Sequence, residues 1–314
     1  MLPYLVITFL VAFFWMPFFA FAEAPPDRAF TANANLENAK VYSDATLGDA
    51  QGVTIRDEKV YLYGDVSDAN PRVGVIREYD LDLRATGRAV WLRRNGKPVL
   101  LHPTGLTNDP KWGTYLGDTV NKKAKIFHLD WERIWSEGNL DHGVLDEIDD
   151  DAAVNGCRPE FVAVEGKPLL ATADYGDVHP EVRLYDPELM LKHKRTSAPG
   201  VVTHHILVGP YNQNLHWDAK QGRLILIQNV IEGRGWQLDE LDLKQALADG
   251  RANGEQVRIA RETFLPHSEL EGFRPLSDGR ALFITSSPRD NIVIGTIKPA
   301  PPHESAAGEE RVKE

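Results

Sequence analysis

Short runs of apolar residues, many alternating with polar ones, recur along the chain and are broken by Gly, Asp, Asn and Pro. GVTIRD, KVYLYGDV, GVIREYDLDL and RAVWLRR follow one another with turn residues between them, the pattern of an antiparallel four-stranded meander. RPEFVAVEG, KPLLATADYG, EVRLYDPELML and HHILVGP repeat it, and so do NLHWDAKQG, RLILIQNV, GWQLDELDL and EQVRIARETFL. Two segments, DWERIWSEGN and LDLKQALADGRA, read as helices inserted after third strands.

The meanders share a period. Aligned on their first strands, the lead residues are Gln51, Thr104, Glu160, Asn214 and Glu271, at intervals of 53, 56, 54 and 57 residues. Fourteen positions after each lead stand Asp65, Asp118, Asp174, Gln228 and Thr285, so the phase of the second strand is kept in every unit. A repeat of roughly 40–55 residues made of strands points to propeller blades. The fold expected is all-β, a five-bladed β-propeller of four-stranded antiparallel blades over 37–299. The last unit supplies only three strands, and a propeller closes on itself to remove its exposed edges. Residues 38–49 are therefore expected to donate the missing strand. A six-bladed ring, with 23–50 forming more of a blade, is the alternative.

The ends of the chain differ in character. Leu5 to Phe19 is almost uninterrupted apolar sequence, followed by small residues at Ala20 and Ala22, the pattern of a secretory signal cleaved after Ala22. Residues 1–22 are thus expected to be a signal peptide, with a membrane anchor as the alternative if they stay attached, since the stretch is about long enough to span. Residues 23–36 read as a polar linker, and 300–314 as a Pro-rich, then charged, disordered tail. The product is expected in the periplasm or outside the cell, as a monomer.

Composition narrows the partners. A formal charge of −11 opposes nucleic acid, whose phosphates need a basic footprint. With one cysteine, Cys157, the chain has no intrachain disulfide framework. Small molecules, glycans or a protein remain as partners.

Candidate chemistry gathers at the axis, where inner strands converge. The leads all bear oxygen, and His102, Asn212, Arg158, His267 and Glu269 lie within four residues of them. Glu160, Glu271, Asn214, Thr104 and Gln51 together offer two carboxylates and three neutral oxygens, a set that suits Ca²⁺ better than Zn²⁺; a hydrated polar channel is the alternative. Glu271 and His267 are the candidate catalytic pair, and Gln51, His102, Thr104, Arg158, Asn212 and Asn214 the candidate channel lining. Asp65, Asp118 and Asp174 read as turn-shaping residues or as a carboxylate ring. His204 and His205 point to opposite faces of one strand and are expected to serve packing or surface. Tryptophans 112, 131, 135, 217 and 236 are expected to pack blades.

EFVAV and NLHWD resemble inner strands of calcium-activated nucleotidases, the apyrase-type five-bladed propellers. The resemblance implies one oxygen ligand per blade to an axial Ca²⁺. By position Glu160 matches a ligand glutamate, Glu271 and Thr104 hold comparable leads, and Gln51 and Asn214 stand where Ser or Glu is expected. QGVTIRDEKVYLYGDV with REYDLDLRATGRAV is similar to the opening blade of plant-type glutaminyl cyclases, another exported five-bladed group. That family carries a glutamate before Gly in the second blade, where this chain has HPTGLT. Two readings follow: a hydrolase of a small ester, lactone, phosphoanhydride or glycoside with an axial Ca²⁺, or a non-enzymatic propeller presenting its top loops to a ligand.

Overall fold

In the second strand of the fourth repeat, Leu224 and Leu226 pack into one apolar cluster while Ile225 and Ile227 pack into another. Successive side chains of a strand point to opposite faces, so a sheet covered on both faces needs apolar residues at nearly every position. That is why these strands read as continuous apolar runs, and why each repeat needs a neighbour on either side.

The computed structural model describes residues 32–66, 71–120, 123–178, 180–228, 236–259 and 268–299. The expected signal peptide, the tail and His267 lie outside the described residues. The described residues form five four-stranded blades in ring order, with a two-stranded ribbon of Arg93–Arg94 and Lys97–Pro98 after blade 1. Blade 1 comprises Asp49–Arg56, Lys59–Val66, Val73–Tyr79 and Ala85–Trp91. Blade 2 comprises Pro103–Asp109, Gly113–Val120, Lys123–Leu129 and Val144–Asp149. Blade 3 holds Glu160–Val164, Lys167–Ala173, Glu181–Tyr185 and Val202–Leu207. Blade 4 holds Asn212–Asp218, Arg223–Gln228, Trp236–Asp242 and Glu255–Ile259. Blade 5 has Leu270–Pro275, Ala281–Thr285 and Ile292–Pro299 from the C-terminal part, and takes its outer strand, Ala32–Tyr42, from the N-terminal part. One apolar cluster fills each gap between neighbouring blades.

The donated strand closes the ring as expected, but it begins earlier than residue 38. It pairs antiparallel with Ile292–Pro299, with a bulge after Glu37, and its first residues run parallel to Val257–Ile259 of blade 4. Leu36 lies so close to Gly295 that a Cβ there would meet its Cγ at 2.7 Å. Past the strand, Asp44 and Asn291 exchange two hydrogen bonds of 2.9 Å, and Leu47 is fully buried between blades 5 and 1.

Among the described residues, three short helices follow third strands: Trp131–Glu137, Pro187–His193 and Leu243–Asp249. The first and last were expected. The middle one replaces the end of a predicted strand, which stops at Tyr185. Its signal is Asp186 followed by Pro187, an N-cap whose carboxylate accepts from the Glu188 and Leu189 amides, with Pro at the first helical position. Asp130 and Asp242 cap the other two helices in the same way, and Asp80 caps the matching turn of blade 1.

Closure should govern stability. A variant beginning at Gln51 loses buried Leu36 and Leu47, worth about 1.5–3 kcal/mol each, and leaves Ile292–Pro299 as an open edge. It is expected to aggregate or to unfold at a much lower temperature, read by size-exclusion chromatography and calorimetry. A monomer with unchanged melting temperature would contradict this closure.

Candidate functional site

The inner strands of neighbouring blades touch in cyclic order, 1–2–3–4–5–1, around the axis. In four of the five the ladder slips by one residue near its start: between Ala50 and Gly52, Thr104 and Leu106, Asn212 and Asn214, and Leu270 and Gly272. A bulge leaves one residue unpaired and re-aims its side chain. The unpaired residues are Gln51, Gly105, Gln213 and Glu271. Blade 3 pairs regularly from Glu160 onward.

This difference separates the two glutamates that the sequence groups together. Glu271, at a bulge, faces the mouth where inner strands begin (the upper mouth): its Oε1 accepts from Gln213 Nε2 at 3.2 Å. The same nitrogen donates to Glu269 Oε2 at 3.1 Å. Glu160 instead turns toward the opposite, lower mouth. Its Oε1 accepts from the Trp217 amide at 3.0 Å and its Oε2 from Arg274 Nη2 at 3.2 Å. Burial pushes the Glu160 carboxyl up, but Arg274 and the Trp217 amide outweigh it and hold the group below its ordinary range.

Between the mouths the axis is filled. Tyr63 reaches inward past Gly52, where a Cβ would lie 2.2 Å from its hydroxyl, and takes a 2.7 Å hydrogen bond from Asn214 Nδ2. The same nitrogen lies 3.4 Å from Gln51 O and 3.2 Å from Glu271 O. Gly272 packs so tightly that a Cβ on it would stand 2.9 Å from Gly52 Cα. Burial raises the Tyr63 phenol to about 12, so it stays a neutral hydroxyl.

The donor set expected for axial Ca²⁺ does not assemble. Glu160 and Glu271 face opposite mouths, and Asn214 Oδ1, the atom a cation would take, accepts from the Leu215 amide at 2.9 Å. The Thr104 hydroxyl donates to Cys157 O at 2.6 Å. Gln51 is buried beside Asn214. Among the described residues, no three His, Cys, Asp or Glu side chains are arranged around a metal position. Asn212 is likewise structural, donating to Asp174 O and Gly209 O.

What the upper mouth assembles is a carboxyl cluster. Glu271 is 2 % exposed, and its Oε2 has no hydrogen-bond partner when both glutamates are ionised. Burial first, then the charges of Glu269 and Asp49, push its carboxyl well above the ordinary value, and a proton on it makes its contact with Glu269 a hydrogen bond. Asp49 is raised to about 6 by burial and by Asp65, against His102 and Arg72. Asp118 is raised to about 6 by burial, against hydrogen bonding from the His102 amide. His102 Nδ1 sits 2.9 Å from Asp65 Oδ2, which Arg72 also grips. Arg158 donates through Nε to Gln213 O at 3.2 Å, while its buried Nη1 has no partner. Its guanidinium lies 5.4 Å from the Tyr175 ring centre, and Tyr175 meets Tyr211 edge-on at 5.6 Å. Tyr211 holds a φ of 60°, a conformation uncommon for a bulky residue.

The series Asp65, Asp118, Asp174, Gln228 and Thr285 is buried throughout. Most of its members pin nearby loops, Asp118 through the His102 amide, Asp174 through those of Val154 and Asn155, Gln228 through Pro210 O. Sequence reasoning missed Asp49, Arg72, Gln213, Tyr175, His216 and Arg274. Asp49 had a signal: two residues before each lead stand Asp49, His102, Arg158, Asn212 and Glu269, polar in all blades.

No protein-family model matches the sequence, and no curated protein does. Among solved structures the chain is similar to Kuenenia stuttgartiensis hydrazine synthase, at 14 % identity and TM-score 0.42, covering 80 % of this chain and 58 % of that one. It thus spans little more than half the hydrazine synthase chain. It is also similar to a glucose dehydrogenase, at 12 % identity and TM-score 0.42, covering 79 % and 83 %. The catalytic domain of Coprinopsis cinerea GH62 α-L-arabinofuranosidase is similar at 12 % identity and TM-score 0.47, covering 87 % and 98 %. These likenesses carry no argument about chemistry, and they lend no support to the nucleotidase or cyclase resemblance.

The raised carboxyls set a pH dependence. A group whose folded pKa is raised contributes stability that is full below its unfolded pKa and is lost as pH rises through the folded value. For Asp49 and Asp118 that window runs from 3.8 to about 6, and for Glu271 it begins at 4.5 and extends well above. The wild type is therefore expected to melt lower at about pH 8 than at about pH 5. Glu271→Gln, which mimics the protonated acid, should raise the melting temperature at the higher pH and leave it nearly unchanged at the lower. Equal effects at both would contradict the assignment.

Proposed function

We propose that the protein is an exported hydrolase of a small neutral ester or lactone, acting at the upper mouth through Glu269 and Glu271. The observation that carries this reading is the pair itself: two carboxyls bridged by Gln213 Nε2, one of them buried with a strongly raised pKa. Two carboxyls sharing one proton supply an acid and a base side by side. A water between them loses a proton to Glu269 as its oxygen attacks the acyl carbon, while Glu271 gives its proton to the carbonyl oxygen. When the tetrahedral adduct collapses, the leaving oxygen takes the proton now on Glu269 as its bond to carbon breaks, and a hydroxyl of the adduct returns its proton to Glu271 as the acid product forms, which restores the single shared proton. Arg158, with an unpartnered Nη1, stands to stabilise the developing oxyanion.

The same geometry narrows the substrate. Carboxyl pairs that cleave glycosides stand about 5–9.5 Å apart to flank the sugar, whereas one oxygen of each of these two accepts from the same nitrogen, Gln213 Nε2. The acidic mouth repels a phosphoanhydride. Export rests on the apolar segment and small residues of 1–22. A binding propeller is the second reading, favoured by Tyr175 and Tyr211, whose rings beside carboxylates suit a cationic ligand held without turnover.

The test is hydrolysis of p-nitrophenyl acetate and of a simple lactone by the chain lacking residues 1–22. Turnover is expected to fall about 100-fold or more in Glu271→Gln and in Glu269→Gln, the usual scale for loss of a general acid or base. Unchanged rates in both variants would remove the pair from the chemistry, and no turnover with any ester or lactone would favour the binding reading.

A further inference from the structure

We infer that the protein carries a second ligand site at the lower mouth, separate from the carboxyl pair, for a small uncharged molecule with a flat apolar face and several hydroxyls, of the class of a mono- or disaccharide. A cavity of about 610 Å³ opens there, within the range of small-molecule sites. None of the upper-mouth carboxylates lines it, and the plug of Tyr63, Asn214, Gly52 and Gly272 stands between it and them.

Its lining mixes polar side chains with an apolar and aromatic set that includes Leu106, Phe161, Trp131 and Trp217. One face of Trp131 is capped by Arg56, whose guanidinium lies 5.1 Å from the ring centre. Among the described residues no ring or cation stacks on Trp217. This indole also lines an adjoining groove of about 880 Å³ beside Leu169, Leu243 and Leu247, so a ligand longer than one ring can lie across it. Sugars present an apolar C–H face to such rings while their hydroxyls seek hydrogen bonds.

The cavity is lined by three arginines, Arg56, Arg274 and Arg280, and three carboxylates, Glu58, Glu160 and Asp278, so its charges balance. Arg274 faces Glu160 and Arg280 faces Asp278, while Arg56 is held by Asp57, Asn108 and Thr114. A charged ligand would leave one of these buried or rim charges without compensation, whereas hydroxyls only extend the network. His216 completes the floor. Its Nδ1 is buried without a hydrogen bond, 3.8 Å from Glu160 Oε1 and so beyond hydrogen-bond reach. Burial and the neighbouring Arg274 hold the imidazole below its ordinary pKa despite Glu160, so it is neutral near pH 7. A neutral imidazole offers both a donor and an acceptor, as a hydroxyl needs.

The site is tested by titrating the protein with glucose, cellobiose, maltose and xylobiose, reading tryptophan fluorescence and melting temperature. At least one sugar is expected to quench fluorescence saturably and raise the melting temperature. Affinity should weaken about tenfold or more in Trp217→Ala, the scale for removing an aromatic anchor, and remain in Glu271→Gln. Thr54→Trp, which fills the cavity from its half-buried edge, should abolish binding even if Trp217→Ala fails to fold. No response to any of the sugars overturns the inference. So does binding that survives Thr54→Trp, or binding lost in Glu271→Gln, which would place the sugar at the upper mouth. None of these outcomes bears on ester turnover, so the two sites stand or fall separately.

Discussion

The molecule depends on one pairing, that of Ala32–Tyr42 with Ile292–Pro299. A blade has apolar residues on both faces, so none is stable without two neighbours, and a chain of blades becomes stable at its ends only by joining them. The N-terminal strand makes that join by hydrogen bonding to the last blade and packing Leu36 beside the blade 4 cluster. Only when the ring is closed do blades 5 and 1 press Gly272 against Gly52. That contact brings five inner strands to one axis and puts carboxylates from different blades into each other's field.

Inside the ring, bulges decide what the axis presents. Glu160 and Glu271 hold the same place in their repeats, yet a one-residue slip sends a side chain to the other face. Glu271 thus joins an acidic cluster, where burial and neighbouring charges raise its pKa. Glu160 joins a charge-balanced one, where Arg274 keeps it ionised. A like-charged cluster held out of water lowers stability, and such strain is tolerated where a site uses it. Asp49 and Asp118 share that environment, and the plug beneath isolates them from the lower chamber.

Much of this was legible in the sequence because repeats amplify weak signals. Intervals of 53 to 57 residues gave the number of blades, and the three-stranded last unit implied the borrowed strand. The helix at Pro187–His193 was hidden because EVRLYDPELML continues an apolar run, although Asp186 and Pro187 marked its start. Gln51 and Glu271 stand at bulges of inner strands, with His102 and Arg158 two residues before their leads, but the leads were treated as one converging set. Sequence carries no mark of a bulge at Glu271 and none at Glu160, so the Ca²⁺ donor set followed from an alignment that the backbone does not keep. Gln213 escaped notice because its neighbour Asn214 held the lead position.

The protonation of Glu271 can be observed directly by following its side-chain carboxyl carbon in ¹³C-glutamate-labelled protein through a pH titration, with Glu271→Gln assigning the signal. If the buried pair holds a shared proton, this carbon remains in its protonated position at neutral pH and its midpoint lies well above 4.5. A midpoint at or below 4.5 would mean that Glu271 is an ordinary ionised carboxylate, and the acid–base pair at the upper mouth would not exist.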